Sequence, residues 1–185
     1  MEDSGIVALY WQRDQRAITV SGEKYGAFCF GLSYNLLASR EDAEECVNDT
    51  WHRAWDTMPP QRPKSLRAYF GRIVRNLSID VWRARRSKKR GEGMEILLSE
   101  LEDCVPSRRD TEGEYEARAT ADAIDRWLGS LRREDRAVFV RRYWYGERVD
   151  ELAGRLGCTP EQLAGRLYRL RKKLRLALER EGVIL

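Results

Sequence analysis

Six side chains near the C-terminus combine amide and cationic groups at helical spacing. They are Gln162, Arg166, Arg169, Arg171, Lys172 and Lys173. Leucines recur between them every three or four positions, so the segment predicts an amphipathic helix whose polar surface carries these groups. An amide and a guanidinium followed by further cations suit a helix that enters a DNA major groove. Gln162 and Arg166 are the candidates for base edges, and the other four are candidates for backbone phosphates.

A second helix and a tight turn precede these residues. Apolar positions repeat with a helical period over residues 151–156, and Gly157 can end that helix in a left-handed conformation. Thr159 offers a hydroxyl N-cap to the next helix, and Pro160 supplies a preset φ at its first position. The pattern therefore predicts a helix-turn-helix. A solvated amphipathic helix pair without a ligand is the alternative.

Charge is distributed unevenly along the 185 residues, a length that suits one large domain or two small ones. Residues 1–58 hold 5 basic and 10 acidic side chains, whereas residues 62–90 hold 11 basic side chains and one acid, Asp80. Residues 91–117 hold 2 basic and 9 acidic side chains, and residues 130–185 hold 14 basic and 8 acidic. Two basic regions separated by an acidic one indicate two contacts with a polyanion.

The predicted fold is all-α, because the periodic segments have helical spacing and no alternating strand pattern is found. Two small helical domains, residues 1–90 and 121–185, are predicted to be joined by a flexible acidic linker, residues 91–120. The second domain ends in the helix-turn-helix, and the first long helical stretch is predicted to begin near residue 12. In the basic helix after Ser65, the predicted core positions are Leu66, Tyr69, Phe70, Ile73, Leu77, Val81 and Ala84.

The residue types that carry catalysis or bind metals do not cluster in the sequence. Cys29, Cys46, Cys104 and Cys158 are scattered and form no metal-ligand spacing with the single histidine, so reduced thiols, no metal and no cofactor are expected. The acids lie at helix starts and in the linker, which disfavours a nuclease or recombinase, and we expect no enzymatic activity. The N-terminus lacks a signal-peptide pattern, and no apolar run approaches the ~20 residues that span a bilayer. A cytoplasmic protein without membrane insertion is expected.

Three segments resemble, in order, regions of the bacterial extracytoplasmic-function (ECF) group of sigma factors, within the sigma-70 family. Residues 42–55 (DAEECVNDTWHRAW) resemble region 2.2, residues 72–83 (RIVRNLSIDVWR) resemble regions 2.3 and 2.4, and residues 131–178 resemble region 4. One helix-turn-helix is a weak signature, but three motifs in register are a strong one. The resemblance implies a transcription initiation factor that binds core RNA polymerase, directs it to specific promoters and helps to melt the minus-ten region.

The resemblance also implies roles for individual residues. The first domain would bind the beta-prime clamp of the polymerase through Asp42, Glu45, Asn48, Asp49, His52 and Trp55. Its basic helix would contact the minus-ten DNA through Asn76, Asp80, Arg83, Arg86, Lys88 and Lys89. The loop over residues 60–65 would receive an extruded base, with Tyr69 or Phe70 as candidates beside it. The second domain would contact the beta flap and the minus-35 element. For Asp80, an intrahelical pair with Arg83 is the alternative role.

Departures from the family pattern and rival interpretations remain open at this point. Ala164 and Gly165 stand where the family often has a cation and a hydroxyl, so the minus-35 preference need not follow the family. An anti-sigma factor is a further expected partner, because the family commonly uses one. A stand-alone helix-turn-helix regulator would explain residues 131–178, but it leaves the basic helix over residues 64–90 and the acidic side chains of residues 41–49 unused. The acidic linker is either an RNA mimic or a solvated tether.

Overall fold

The computed structural model describes residues 1–85, 93–106 and 114–183, and every regular element in these ranges is an α-helix. The all-α prediction is confirmed. The chain forms two compact units, Met1–Met94 and Glu95–Leu185. The helices, in order, are α1 (Asp3–Trp11), α2 (Arg16–Leu37), α3 (Arg40–Thr57), α4 (Leu66–Arg85), α5 (Met94–Leu101), α6 (Glu114–Ser130), α7 (Arg133–Tyr143), α8 (Val149–Leu156) and α9 (Pro160–Arg180).

The first unit is built around the fully buried ring of Phe70 on α4. Trp51 of α3 meets this ring edge-on at a centroid distance of 5.2 Å, and Tyr25 of α2 lies at 5.5 Å. Trp51 is therefore a packing residue. Tyr10 of α1 contacts the same ring at 6.4 Å and is itself fully buried. Burying an aromatic side chain is worth about 1.5–3 kcal/mol, so this cluster is a principal source of the unit's stability.

Helix α1 lies before the predicted helical start near residue 12. Its sequence, DSGIVALYW, has no polar face that would mark a helical period, because apolar residues follow one another without interruption. The structure shows why: the helix buries Ile6, Val7, Leu9 and Tyr10. A short helix that is apolar almost all round cannot be told from a strand by periodicity.

The buried face of α4 differs from the predicted stripe. Leu66 and Phe70 are buried as expected, but the face continues through Gly71, Val74 and Ser78. The predicted positions Tyr69, Ile73, Leu77 and Val81 are only half-buried, and Ala84 is exposed. The packed face contains a glycine and a serine, and a prediction based on the spacing of apolar residues overlooks both. A Cβ on Gly71 would lie 3.3 Å from the Phe28 ring, and the Ser78 hydroxyl hydrogen-bonds to the Ser33 hydroxyl at 2.8 Å.

The second unit contains the predicted helix-turn-helix, α8 and α9. Gly157 ends α8 with φ +67°, and Thr159 caps α9 in a capping box with Gln162. The predicted leucine stripe of α9 is buried throughout: Leu163, Leu167, Leu170, Leu174 and Leu178. An aromatic ladder, Trp127–Phe139–Tyr143, runs from α6 to α7 with centroid distances of 4.9 and 4.5 Å.

Regular structure also occurs within the segment that the sequence suggested as a linker. Helix α5 covers Met94–Leu101, and α6 begins at Glu114, ahead of residue 121. Gly93, which precedes α5, has φ +68°, and a Cβ there would approach the carbonyl oxygen of Leu36 to 2.6 Å. Only glycine fits that position without a shift of backbone.

The four cysteines are free thiols. Burial raises the pKa of the Cys29 thiol to about 12, which keeps it protonated and unreactive. Within the described ranges, no helix is both long and apolar enough to cross a bilayer.

Candidate polymerase and nucleic-acid interfaces

One surface of α3 carries polar and acidic groups beside an aromatic ring. Glu45, Asn48, Asp49 and His52 are exposed, and Trp55 is half-buried at the edge of this surface. Arg13, just after α1, holds Trp55 in place. Its guanidinium lies 5.5 Å from the Trp55 ring centroid and donates to the Trp55 backbone carbonyl at 2.5 Å.

An open depression of about 440 Å³ adjoins this surface and is lined by Gln15, Ile18, Thr19, His52 and Trp55. Carboxylates next to a shallow, partly apolar depression suit a basic partner helix that inserts one larger side chain. We call the exposed residues Glu45, Asn48, Asp49 and His52, together with Trp55, the acidic face.

Asp42 does not belong to the acidic face. It is 4% exposed, and its carboxylate pairs with the guanidinium of Arg85 at the end of α4. The expectation of an exposed acid is wrong here, because α4 returns across the first turn of α3 and supplies a cation from 43 residues away. The same contact engages Arg85, which the basic run otherwise suggests as a phosphate contact. Ser39 caps α3 by accepting from the Asp42 amide at 3.4 Å.

The expected minus-ten residues that the structure describes form an exposed row on α4. Asn76, Asp80 and Arg83 are exposed and follow one another at four- and three-residue spacing. Asp80 and Arg83 form a 3.5 Å ion pair with side chains 71% and 50% exposed, which confirms the intrahelical pairing. A pair this exposed contributes little stability, so both groups remain accessible to another ligand. Arg86, Lys88 and Lys89 lie outside the described residues.

The loop before α4 is held by an aromatic side chain of α1. The Trp11 indole N–H donates to the carbonyl oxygen of Gln61 at 3.1 Å, and the Arg62 guanidinium lies 3.8 Å from the Trp11 ring centroid. Phe70 is fully buried and cannot meet a base, so of its two predicted roles the core position is confirmed and the place beside an extruded base is not. Tyr69 is half-buried, with its hydroxyl 2.7 Å from the Thr57 hydroxyl.

The predicted recognition helix divides its polar residues into two sets. Arg169, Lys172 and Lys173 are exposed. Gln162 is exposed as well, and its Oε1 accepts from the Thr159 amide at 3.0 Å in the capping box. The cap uses the oxygen of this side chain and leaves its NH₂ as a donor. Tyr168, 50% exposed, lies between these cations, with the Lys172 ammonium 4.9 Å from its ring centroid.

Arg166 belongs to the second set, whose cations bind other helices. Its guanidinium approaches Asp135 of α7 to 2.7 Å, and its side chain is only 29% exposed. Arg132 binds the same carboxylate at 3.2 Å. Burial opposes the charge on Asp135, but the hydrogen bonds from Arg166 and Arg132 outweigh it, so the pKa of Asp135 is lowered. Arg166, predicted to reach a base edge, is therefore paired within the second unit, because Asp135 on α7 binds its guanidinium.

Arg171 is also engaged, at a cluster that we call the Glu100 cluster: Glu100, Arg142, Tyr143 and Arg171. Arg171 donates to the Tyr143 hydroxyl at 2.6 Å and lies 3.5 Å from Glu100. Arg142, 7% exposed, binds Glu100 at 2.5 Å, and the Tyr143 hydroxyl donates to Glu100 at 2.8 Å.

The surroundings of Glu100 stabilise its charged form. Burial raises the pKa of this carboxyl, but the hydrogen bonds from Arg142 and Tyr143 outweigh that effect, and the pKa is lowered. The backbone of α5 is tied to α9 a second time, where Arg175 donates to the carbonyl oxygen of Asp103 at 3.2 Å. Arg171, predicted as a phosphate contact, is thus paired within the second unit and has a side chain that is only 19% exposed.

Sequence reasoning missed two functional candidates, Trp11 and Glu100. Trp11 gave no signal, because the helix that it ends was not recognised in the sequence. Glu100 is one of the 9 acids in residues 91–117, and no spacing distinguishes it from the others.

The first unit carries an acidic face and a polar row on a basic helix. The second unit carries a helix-turn-helix. Together they define a two-domain DNA-binding protein. Residues 23–88 match Sigma-70 region 2, and residues 121–174 match Sigma-70, region 4. The RNA polymerase sigma factor CnrH of Cupriavidus metallidurans is 32% identical over 175 residues, which cover 91% of this chain and 90% of that protein. The ECF RNA polymerase sigma factor SigL of Mycobacterium tuberculosis is 26% identical over 168 residues, covering 87% and 88%.

The solved structure of CnrH in complex with the cytosolic domain of CnrY aligns over 96% of this chain and 97% of that one, with 24% identity and a TM-score of 0.43. The chain belongs to the ECF group of the sigma-70 family. It is a promoter-specific transcription initiation factor whose partners are core RNA polymerase and promoter DNA. The family consists of non-enzymatic transcription factors.

Proposed function

We propose that the two units divide promoter recognition between them and that each uses only part of its charged surface. The acidic face of α3 binds the beta-prime clamp of core polymerase. The row Asn76, Asp80 and Arg83 on α4 contacts the minus-ten DNA, which the loop over residues 60–65 helps to melt. The second unit contacts the beta flap and reads the minus-35 element with α9.

Within α9, the DNA contacts are assigned to the exposed set. Gln162 reads a base edge through its NH₂ group, and Arg169, Lys172 and Lys173 bind phosphates. Arg166 and Arg171 act as braces that orient α9 on α7 and α5. The observation that supports this division is the pairing of both braces with carboxylates, Asp135 and Glu100, at 2.7 and 3.5 Å. A guanidinium already neutralised by a carboxylate has little to offer a phosphate.

The division has a physical rationale in the geometry of groove recognition. A recognition helix reads bases only if its position in the groove is fixed to within a fraction of an ångström, which requires firm contacts on the side away from DNA. The buried leucine stripe supplies unspecific adhesion, and the two charge pairs fix the rotation of the helix.

We also propose that the protein acts in the cytoplasm, without catalysis of its own, and that an anti-sigma protein controls it.

Run-off transcription tests the proposal. Core RNA polymerase freed of sigma factor is incubated with sheared genomic DNA, with and without the protein, and the 5′ ends of the transcripts are sequenced. Discrete new start sites that share two upstream motifs are expected. A protein that binds duplex DNA but neither binds nor redirects the polymerase would instead be a stand-alone regulator.

A further inference from the structure

We propose that α1 is a splint for the loop that precedes α4, with Trp11 and Asp3 as positioning residues for capture of an unstacked promoter base. This inference rests on the proposed role of the loop over residues 60–65. It adds a helix at the N-terminus of the chain, outside the stretch of residues 23–88 that matches Sigma-70 region 2. The ligand is a nucleobase of single-stranded DNA, and the two residues act on it through the loop.

Trp11, the last residue of α1, fixes the beginning of the loop. Its indole N–H bonds to the Gln61 carbonyl at 3.1 Å, which sets the path of the backbone. Its ring supports the Arg62 guanidinium at 3.8 Å, which sets the position of a cation. The tryptophan is 36% exposed, so these contacts leave part of its surface open to solvent.

Asp3, the first residue of α1, fixes the other end of the loop. Its Oδ2 accepts from the backbone amide of Leu66, the first residue of α4, at 3.4 Å. A carboxylate at that position also complements the dipole of α4. The other oxygen of Asp3 is held by Lys24 at 2.7 Å and by the Tyr25 hydroxyl at 2.5 Å, so this carboxylate is itself oriented from α2.

Between these two contacts, α1 is rigidly embedded. Ile6 and Tyr10 are fully buried, and the Tyr10 hydroxyl bonds to the Ser21 hydroxyl at 3.0 Å. A nine-residue helix is about 13 Å long. Asp3 and Trp11 therefore stand a fixed distance apart, and each holds one end of the same loop.

A fixed loop favours base capture for an energetic reason. Extruding a base from the duplex costs unstacking and unpairing energy, which contacts to the extruded base must offset. A loop that has to be ordered at the same moment adds its own conformational cost, whereas a splinted loop is already ordered. The cation of Arg62 is also placed before DNA arrives, and a guanidinium plane can stack on a base.

The test compares variant holoenzymes at equal occupancy of a promoter identified by the run-off experiment. The variants are Trp11→Ala, Trp11→Phe and Asp3→Asn, and the control is Tyr34→Ala. Tyr34 is a similarly exposed ring at 46%, stacked on Phe30 of its own helix. Permanganate reactivity of minus-ten thymines reports melting, and a panel of minus-ten substitutions reports base preference.

For Trp11→Ala we expect unchanged affinity for core polymerase and about tenfold less melting, since lost positioning at a reacting site costs on this order or more. Trp11→Phe keeps a ring beneath Arg62 and should fall between wild type and Trp11→Ala. Base preference should relax in all three variants of Trp11 and Asp3, called the loop variants because both residues act through the loop, and Tyr34→Ala should behave as wild type.

A second template separates positioning from loss of fold. On a promoter with a pre-melted minus-ten bubble, the loop variants should initiate like wild type while their relaxed base preference persists. If Trp11→Ala and Asp3→Asn melt the duplex promoter as wild type does, with unchanged preference, the splint proposal is overturned. If the wild-type holoenzyme itself forms no open complex, it is the proposed function that fails. Variants that fail on the bubble template as well would show a general folding role for α1, which also contradicts the proposal.

Discussion

The two basic helices, α4 and α9, differ in how exposed their charged residues are and in what those residues pair with. On α4, Asn76, Asp80 and Arg83 stay exposed, and the one ion pair among them is local and open to solvent. On α9, Arg166 and Arg171 are drawn into contacts with Asp135 and Glu100, while Lys172 and Lys173 beside them stay exposed. A run of cations thus identifies a nucleic-acid helix, but carboxylates distant in sequence decide which of its cations remain available.

The largest effect is expected from breaking the Glu100 cluster. Arg142→Met removes a guanidinium that is 7% exposed and leaves the Glu100 carboxylate without its closest partner. Loss of one partner of a largely buried pair should lower the stability of the second unit by about 3 kcal/mol. Hydrogen exchange of the α7 and α9 amides, followed by mass spectrometry, measures the change within that unit.

The neighbouring residue provides the matched control for that prediction. Arg141, whose side chain is 44% exposed, forms a 3.6 Å pair with Glu147, which keeps a second partner in Arg155 at 3.3 Å. Arg141→Met should therefore cost less than about 1 kcal/mol. Equal losses for the two variants would show that the Glu100 cluster contributes no more than the Arg141–Glu147 pair.

A second prediction separates the two tasks of Gln162. Glutamate keeps a side-chain oxygen for the capping box but has no NH₂ donor, so Gln162→Glu should fold with wild-type stability. Its discrimination between minus-35 sequences should fall by about 1–3 kcal/mol. Gln162→Ala, which loses both functions, should also lower the thermal midpoint. Competition binding with substituted duplexes and thermal unfolding give the two quantities. Unchanged discrimination in Gln162→Glu would remove this residue from base reading.

A third prediction concerns acid stability. The pKa values of Asp135 and Glu100 are both lowered in the folded chain, where burial is outweighed by hydrogen bonds from arginines and, for Glu100, from Tyr143. Groups with depressed pKa values stabilise the fold above the ordinary carboxyl range, and this stabilisation is lost as the pH falls through that range towards the folded values. The second unit should therefore lose stability between roughly pH 5 and pH 2.

The pH titration has a direct control. Asp135→Asn should flatten the decline in the unfolding free energy measured by denaturant titration at each pH. Asp150→Asn should not, because the Asp150–Arg148 pair is exposed, at 57% and 70%. A parallel decline in Asp135→Asn and wild type would mean that the braces do not carry the pH dependence.

The smallest effect is expected on α4. Asp80→Asn removes the exposed pair with Arg83 and should change the unfolding free energy by no more than about 0.5 kcal/mol. Its preference among minus-ten sequences should nevertheless change, because the side chain faces DNA in the proposed complex. A variant with wild-type preference and reduced stability would reverse the assignment and make Asp80 a structural residue.

Local chemistry made much of the fold predictable. The leucine period of α9, the glycine after α8 and the Thr159 cap each follow from interactions within a few residues, and the structure confirms them. The packed face of α4 was displaced by one position because Gly71 and Ser78, small or polar residues, occupy it. Helix α1 was missed because it lacks a polar face.

The availability of the site residues was less predictable, because it depends on ion pairs between residues distant in sequence. Arg85 meets Asp42 across 43 residues, Arg166 meets Asp135 across 31, and Arg142 meets Glu100 across 42. Contacts of this kind depend on how helices cross, which a single sequence read by periodicity does not contain. The order of the three sigma-like segments, by contrast, was visible directly and led to the correct family.

The salt dependence of minus-35 duplex binding separates the different tasks proposed for neighbouring cations on α9. Arg171→Ala and Lys172→Ala are compared with the wild-type chain between 50 and 200 mM salt, a range over which phosphate contacts dominate affinity. Lys172→Ala should reduce the slope of log K against log salt by about 1, whereas Arg171→Ala should keep the wild-type slope and lose thermal stability instead. Equal reductions of the slope in both variants would contradict the account, because Arg171 would then bind DNA and not brace the recognition helix.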